Sequence, residues 1–195
     1  MLAASQERGF IGPGSLEPHV QRALDMAAVL PASPRRALDL GSGGGLPGLP
    51  LAVVFAGTDW VLLDGSVTRA TFLSEAVDEL GLTGRVTVRA ARAEEAGRDE
   101  GLRASFDLVV ARSFGPPATT AECAAPFLAA GGRLVVADPP GSTGERWPAE
   151  RLAVLGLRPL STVTEPSAVT LLVQERLCPP AYPRRTGIPA KRPLF

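Results

Sequence analysis

This chain of 195 residues has two cysteines, one histidine, one lysine and no net charge. Each shortage excludes something. Cys123 and Cys178 are too few for a disulfide framework or a zinc site, so the expectation is a reduced, cytoplasmic protein with no bound metal. No apolar run approaches the length of a membrane span, and no basic start followed by an apolar stretch marks a secretory leader. With zero net charge, the field of the whole molecule does not attract nucleic acid, and any such binding has to come from local patches. His19, in a helical pattern near the N-terminus, reads as a helix-surface or interface residue, and Cys123, in an alanine-rich helix, as a small core residue. Nineteen of the twenty basic residues are Arg. With the Ala, Gly and Pro content, that bias reflects a GC-rich coding sequence more than phosphate binding.

What is present is a 45% hydrophobic chain of the size of one globular domain. Strand-like apolar runs at Ala37 to Leu40, Trp60 to Leu63, Val86 to Arg89, Leu108 to Ala111 and Arg133 to Ala137 alternate with helical patterns, as in a parallel sheet covered on both faces. One such helix spans Thr68 to Leu80, with Phe72, Leu73, Ala76, Val77 and Leu80 on one stripe and Gly81 closing it. Two further strands, near Leu160 to Val163 and Val169 to Gln174, have no helical pattern between them, only a short turn around Glu165, Pro166 and Ser167, and form an antiparallel hairpin. Residues 1–36 contain Gly9, Gly12, Pro13 and Gly14 and one helical pattern from about Glu17 to Leu30, which makes them a helical extension. Residues 37–176 form the core domain, and 177–195 a basic, proline-rich tail.

The stretch Leu38 to Pro50, LDLGSGGGLPGLP, reads as a buried strand, a glycine-rich turn and a helix start. Gly41, Gly43 and Gly45 permit backbone conformations and close ligand approach that a Cβ would block. The pattern D-x-G-x-G-x-G from Asp39 resembles the first motif of class I S-adenosylmethionine (SAM) methyltransferases; a dinucleotide fingerprint would need glycine at Leu46. Five alternating units and a final hairpin likewise match the seven-stranded, mostly parallel Rossmann-like α/β sheet of those enzymes. Asp64 ends the second strand, 23 residues after Gly41. It can accept hydrogen bonds from both ribose hydroxyls of a nucleoside, or cap the helix that follows. Asp39 orients the turn, which nearly coincides with being a satisfied, partly buried carboxylate.

The run DLGSGGGLPGLPL, with its L-P-G-L-P after the glycines, is similar to the glucose-inhibited division protein B family, the RsmG methyltransferases. LLDGSVTRATFL from Leu62, ARAEE from Ala91, VVARSF from Val109 and the tail YPRRTGIPAKRPL from Tyr182 follow in the family's order. The resemblance implies SAM as cofactor and methylation of a guanine at N7 in 16S ribosomal RNA, with that RNA or the small ribosomal subunit as partner. It puts cofactor contacts on Gly41, Leu46, Ala93, Glu94 and Arg112, with Asp64 on the ribose. Ala93 and Glu94 are otherwise open to a helix N-terminus reading. Arg112 ends an apolar strand, where it grips a carboxylate, phosphate or guanine, or forms a buried salt bridge. Guanine N7 has a free lone pair and no proton, so Arg112 is the catalytic candidate through positioning and charge, and no general base is needed.

Two departures stand out. Where the family commonly has lysine and glycine after the fifth strand, this chain has Asp138, Pro139, Pro140 and Gly141. Asp138 reads there as a turn residue that lines the substrate side. The N-terminus also lacks an N-L-T type segment. The competing functions are a methyltransferase for another RNA or a small metabolite, and a noncatalytic SAM-binding protein. From Arg176 onward five basic residues occur without an acidic one. Prolines would keep this tail extended, and Arg184, Arg185, Lys191 and Arg192, with Tyr182 stacking, would contact RNA phosphates; the other reading is a solvated end.

Overall fold

The computed structural model describes residues 1–195. After two N-terminal helices, α1 (Leu2–Glu7) and α2 (Glu17–Ala28), the chain alternates β1 (Arg36–Leu40), α3 (Gly48–Val54), β2 (Asp59–Asp64), α4 (Val67–Glu79), β3 (Val86–Ala90), α5 (Ala93–Ala96), β4 (Phe106–Arg112), α6 (Pro117–Ala124) and β5 (Leu128–Ala137). It continues through α7 (Ala149–Leu152), the hairpin β6 (Leu157–Val163) and β7 (Val169–Gln174), and a final turn of helix, α8 (Ile188–Lys191). The seven strands form one sheet in the order β3-β2-β1-β4-β5-β7-β6. β1 to β5 run parallel, and β7 is antiparallel to both β5 and β6.

Successive strand residues point to opposite faces, and here both faces are buried. Leu38, Leu40, Val61, Leu63, Val109 and Ala111 belong to one core with Phe106, Phe127 and Trp147. Ala37, Trp60, Leu62, Leu108 and Val110 belong to the other with Leu49, Phe72 and Leu73. At about 1.5–3 kcal/mol per fully buried large apolar side chain, these layers dominate the folding energy and hold the strand ends rigid. β6, the sheet edge, carries Pro159 beside an irregularity in its pairing, where a missing N–H costs least.

The strands predicted from apolar runs are all present, most of them a residue or more longer. Three features differ from expectation. A further helix, α1, precedes the expected one; six residues are too few for an apolar period to be visible. Asp138 is not a turn residue lining the substrate side: it is 1% exposed, and its carboxylate accepts bonds from Arg146 Nη1 (2.9 Å), Trp147 Nε1 (2.8 Å) and Thr170 Oγ1 (2.7 Å). It therefore ties the loop after β5 to β7. The tail is not extended either. Tyr182, Leu194 and Phe195 pack against the first core, and Arg103 donates to the carbonyls of Cys178, Pro179 and Tyr182. The prolines leave these carbonyls free of strand pairing, and the half-buried Arg103 collects them.

Candidate cofactor and substrate cleft

The strand order reverses between β1 and β4, because the chain leaves β1 toward β2 on one side and returns to β4 on the other. Ligands in open parallel sheets bind outside the carboxyl ends of the strands at such a point. Here the β1 end carries the glycine turn. Its conformation is set by the amides of Gly41 and Ser42, which both donate to the Leu63 carbonyl at 2.8 and 2.9 Å, and by the Gly43 amide, which donates to Asp64 Oδ2 at 2.8 Å. Gly41, at φ +75°, faces the Phe114 ring so closely that a Cβ would lie 2.6 Å from it.

Asp39 sits beneath this turn, fully buried, and accepts from the Gly48 amide at 3.0 Å through Oδ2; its Oδ1 has no partner. Burial above all raises its carboxyl to about 7, against the opposing pull of the Gly48 amide. The expectation that Asp39 orients the turn fits this contact. A Cβ on Gly48 would lie 2.4 Å from Asp39 Oδ2, so glycine is required at the close approach.

Three adjoining cavities share Gly41 and run across the strand ends. The first, of about 390 Å³, lies against Gly41 to Gly44 and Leu46, with Arg69, Arg112 and Ser113 and with Phe10, Ile11, Gly12 and His19 of the N-terminal segment. The middle one, of about 320 Å³, is lined by Asp64, Gly65, Ser66, Arg69, Arg92, Ser113 and Phe114. The last, of about 170 Å³, is more apolar: Leu63, Ala91, Ala93, Phe114, Cys123 and Ala190 line it with Glu94 and Thr119. The cleft thus passes from a cationic end over β1 and β4, through a carboxylate at β2, to an apolar slot beside β3.

Of the residues singled out in the sequence, Gly41, Gly43, Leu46, Asp64, Ala93, Glu94 and Arg112 line this cleft. Gly45 does not. At φ +94° it is a packing glycine, whose Cβ would meet Leu49 at 2.4 Å. Asp64 is buried, and its Oδ1 accepts from the Ser66 amide at 2.8 Å. The helix cap is Ser66 itself, which accepts from the Arg69 amide, so Asp64 is not the cap. Each carboxylate oxygen keeps a lone pair free for a ligand.

Arg112 is half-buried without a carboxylate partner. Nη1 donates to the His19 carbonyl at 3.2 Å, and Nη2 to His19 Nδ1, so the salt-bridge alternative does not hold. Burial and Arg22 hold its pKa below the usual value, and burial with Arg112 lowers that of His19. His19 Nδ1 therefore acts as a neutral acceptor, which makes His19, expected as a helix-surface or interface residue, part of the interface between α2 and the end of β4. Ser113, next in the chain, takes a left-handed conformation at φ +55°, unusual for a side chain-bearing residue and concentrated at functional sites. The Cys123 thiol is pushed far up by burial, then by Glu94 and Glu122. It remains protonated and inert, as expected of a core residue.

Sequence reasoning missed the two walls supplied by the chain ends. Phe10 meets Phe72 edge to face at 5.4 Å, and the buried Ser5 hydroxyl donates to the Gly44 carbonyl at 2.9 Å, which docks the N-terminal segment on the glycine turn. At the other end Arg184, expected to meet RNA, is committed to the protein. Its amide, Nε and Nη2 reach the carboxylate of the fully buried Glu122 at 2.9, 2.8 and 2.6 Å. Arg185, Lys191 and Arg192 are exposed.

The profile of the family described as rRNA small subunit methyltransferase G, GidB, matches residues 12–139. A protein of that description from Moorella thermoacetica is 36% identical over 82% of this chain and 69% of its own length. One from Dehalococcoides mccartyi (strain CBDB1) is 38% identical over 81% and 70%. Among solved structures, the T. thermophilus 16S rRNA N2 G1207 methyltransferase in complex with AdoMet and guanosine superposes with a TM-score of 0.54 at 27% identity, covering 83% of this chain and 40% of that one. Cofactor-bound Rv0187 from MTB, at 19% identity, shares the fold with a TM-score of 0.61 over 90% and 88% of the two chains. With the glycine turn, Asp64, the Ala93–Glu94 pair and Arg112 in one cleft at the reversal of strand order, and with relatives of this similarity, the chain belongs to the rRNA small subunit methyltransferase G (GidB) family.

Proposed function

We propose that this protein transfers the methyl group of SAM to N7 of a guanine in 16S ribosomal RNA, in the cytoplasm, with the RNA or the small subunit as its substrate. The observation that carries the reading is the order of the cleft. A cation, Arg112, stands at the glycine-turn end, a buried carboxylate, Asp64, in the middle, and an apolar slot with Ala93 and Phe114 at the far end. That sequence of surfaces suits an amino acid carboxylate, a ribose and an adenine in turn. The Gly41 cradle, which a Cβ would fill, fits the same ligand. When bound, SAM supplies an electrophilic methyl on a sulfonium centre.

The chain's own contribution is positioning. Arg112 offers a two-point grip on a carboxylate or a guanine edge, held in place by neutral His19. Asp64 accepts the ribose hydroxyls while its other lone pairs fix Gly43 and Ser66. No residue lining the cleft needs to remove a proton, because N7 carries none; His19 Nδ1 is taken up by Arg112, and the raised Cys123 thiol is not poised to do so. Arg69 and Arg92 at the middle cavity, with exposed Arg185, Lys191 and Arg192 beyond it, are phosphate ligands in this reading.

The test is incubation of the purified protein with methyl-labelled SAM and naked 16S RNA, small subunits or total metabolites, followed by nucleoside analysis. Label in 7-methylguanosine from RNA or subunits is the expected result. Label confined to metabolites would make the protein a small-molecule methyltransferase. SAM binding without transfer to any of the three would make it a noncatalytic binder.

A further inference from the structure

The apolar slot has an outer wall that the methyltransferase core does not supply. Ala190 lines it together with Ala93 and Leu63, and Ala190 belongs to the C-terminal segment. Two buried carboxylates, the cleft-lining Glu94 and Glu122 of α6, hold that segment in register. Glu94, 5% exposed, accepts from the Gly187 amide at 2.9 Å. Glu122, 0% exposed, takes three hydrogen bonds from Arg184. Between these anchors the Thr119 hydroxyl donates to the Pro189 carbonyl at 3.1 Å. An ionised carboxylate is costly to bury unless a charge-assisted bond reaches it, so a tail that merely drifted over the surface would not leave Glu122 in the core. Gly187, at φ +81°, turns the chain between anchor and wall. The side chain then presented to the slot is a single methyl group.

We propose that Gly187–Lys191 is a wall of the cofactor site, that Ala190 sets the room available to the adenine ring, and that Glu94 and Glu122 are positioning residues that hold this wall. Cofactor binding and docking of the tail are then one coupled equilibrium, and each stabilises the other to the same degree. The proposal rests on the SAM reading and assigns the tail a role the sequence did not suggest, since a free RNA arm would leave cofactor affinity untouched.

The experiment measures S-adenosylhomocysteine binding by calorimetry in the full-length protein and in Ala190→Phe, and in parallel the rate of tryptic cutting after Arg185 and Lys191 with and without saturating S-adenosylhomocysteine. Expected are an affinity at least tenfold weaker in Ala190→Phe, with its melting temperature without ligand unchanged, and cutting of the tail slowed at least tenfold by the ligand in the unsubstituted protein. The tryptic arm needs no variant, so it stands even if the substitution disturbs folding. Unchanged affinity in a folded Ala190→Phe, or cutting at the same rate under saturating ligand, overturns the proposal while leaving the SAM reading intact. Failure of the unsubstituted protein to bind S-adenosylhomocysteine at all overturns both.

Discussion

The two ends of the cleft are built in opposite ways. The glycine turn itself is largely local: Gly41, Ser42, Gly43 and Gly48 bond to Leu63, Asp64 and Asp39, residues of two adjacent strands. The apolar end depends on bonds that Gly187 and Arg184 donate to Glu94 and Glu122, across 93 and 62 residues of chain. A local turn keeps its shape as long as its glycines can adopt their backbone angles. A wall held by buried charge depends on the pairing of two distant groups, and fails as a unit when one is removed.

The largest effect should come from breaking that pairing. Arg184→Ala leaves Glu122 buried and unpaired, which should destabilise the fold by about 3–5 kcal/mol and lower the melting temperature by about 10 °C. Adding Glu122→Met, which removes the stranded charge, should recover most of the loss. If the single variant melts within about 1 °C of the parent, the buried pair is not what holds the tail.

Asp39 tests the opposite end. Its carboxyl stands at about 7 in the fold against 3.8 ordinarily. Between those pH values the folded protein holds a proton that the unfolded chain has lost, so this group's contribution to stability falls as pH rises through that window, by a ceiling on the order of 4 kcal/mol. Asp39→Asn should flatten the decline. Denaturant unfolding of both proteins from pH 4 to 8 checks it, and parallel curves would show that Asp39 titrates normally.

Smaller effects are expected in the middle of the cleft. Asp64→Ala should weaken S-adenosylhomocysteine binding by about 1.5–3 kcal/mol, the value of a charge-assisted hydrogen bond, and calorimetry with unchanged affinity in a folded variant would remove Asp64 from the site. Arg112→Lys keeps the charge and loses the two-point grip. It should lower methyl transfer to RNA at least tenfold while costing only about 1 kcal/mol of stability, the value of its bond to His19. A variant that instead unfolds, with full activity in the surviving folded fraction, would make Arg112 a structural tie between β4 and α2.

How much could be read from the residues depended on the distance over which each requirement acts. The central strands were legible because buried parallel strands are continuous apolar runs, and the hairpin because the five residues between β6 and β7 leave no room for a crossover. D-x-G-x-G-x-G was legible because positive backbone angles and close approach single out glycine within a few residues. Helix α1 was hidden because six residues carry no period. Arg184 was misread because a cluster of cations near the end of a chain looks alike whether it faces water or a buried carboxylate.

The sequence by itself thus determined the sheet, the glycine turn, the acid at the end of β2 and the arginine at the end of β4, all of which follow from pattern and spacing along a short stretch of chain. Only the tertiary structure decided that His19 fixes Arg112, that Asp138 is a buried tie, and that the basic tail folds back onto Glu94 and Glu122 to wall the cleft. Those contacts join groups far apart in the chain, and the partner of a charge is chosen by which surfaces the packed core brings within hydrogen-bond reach.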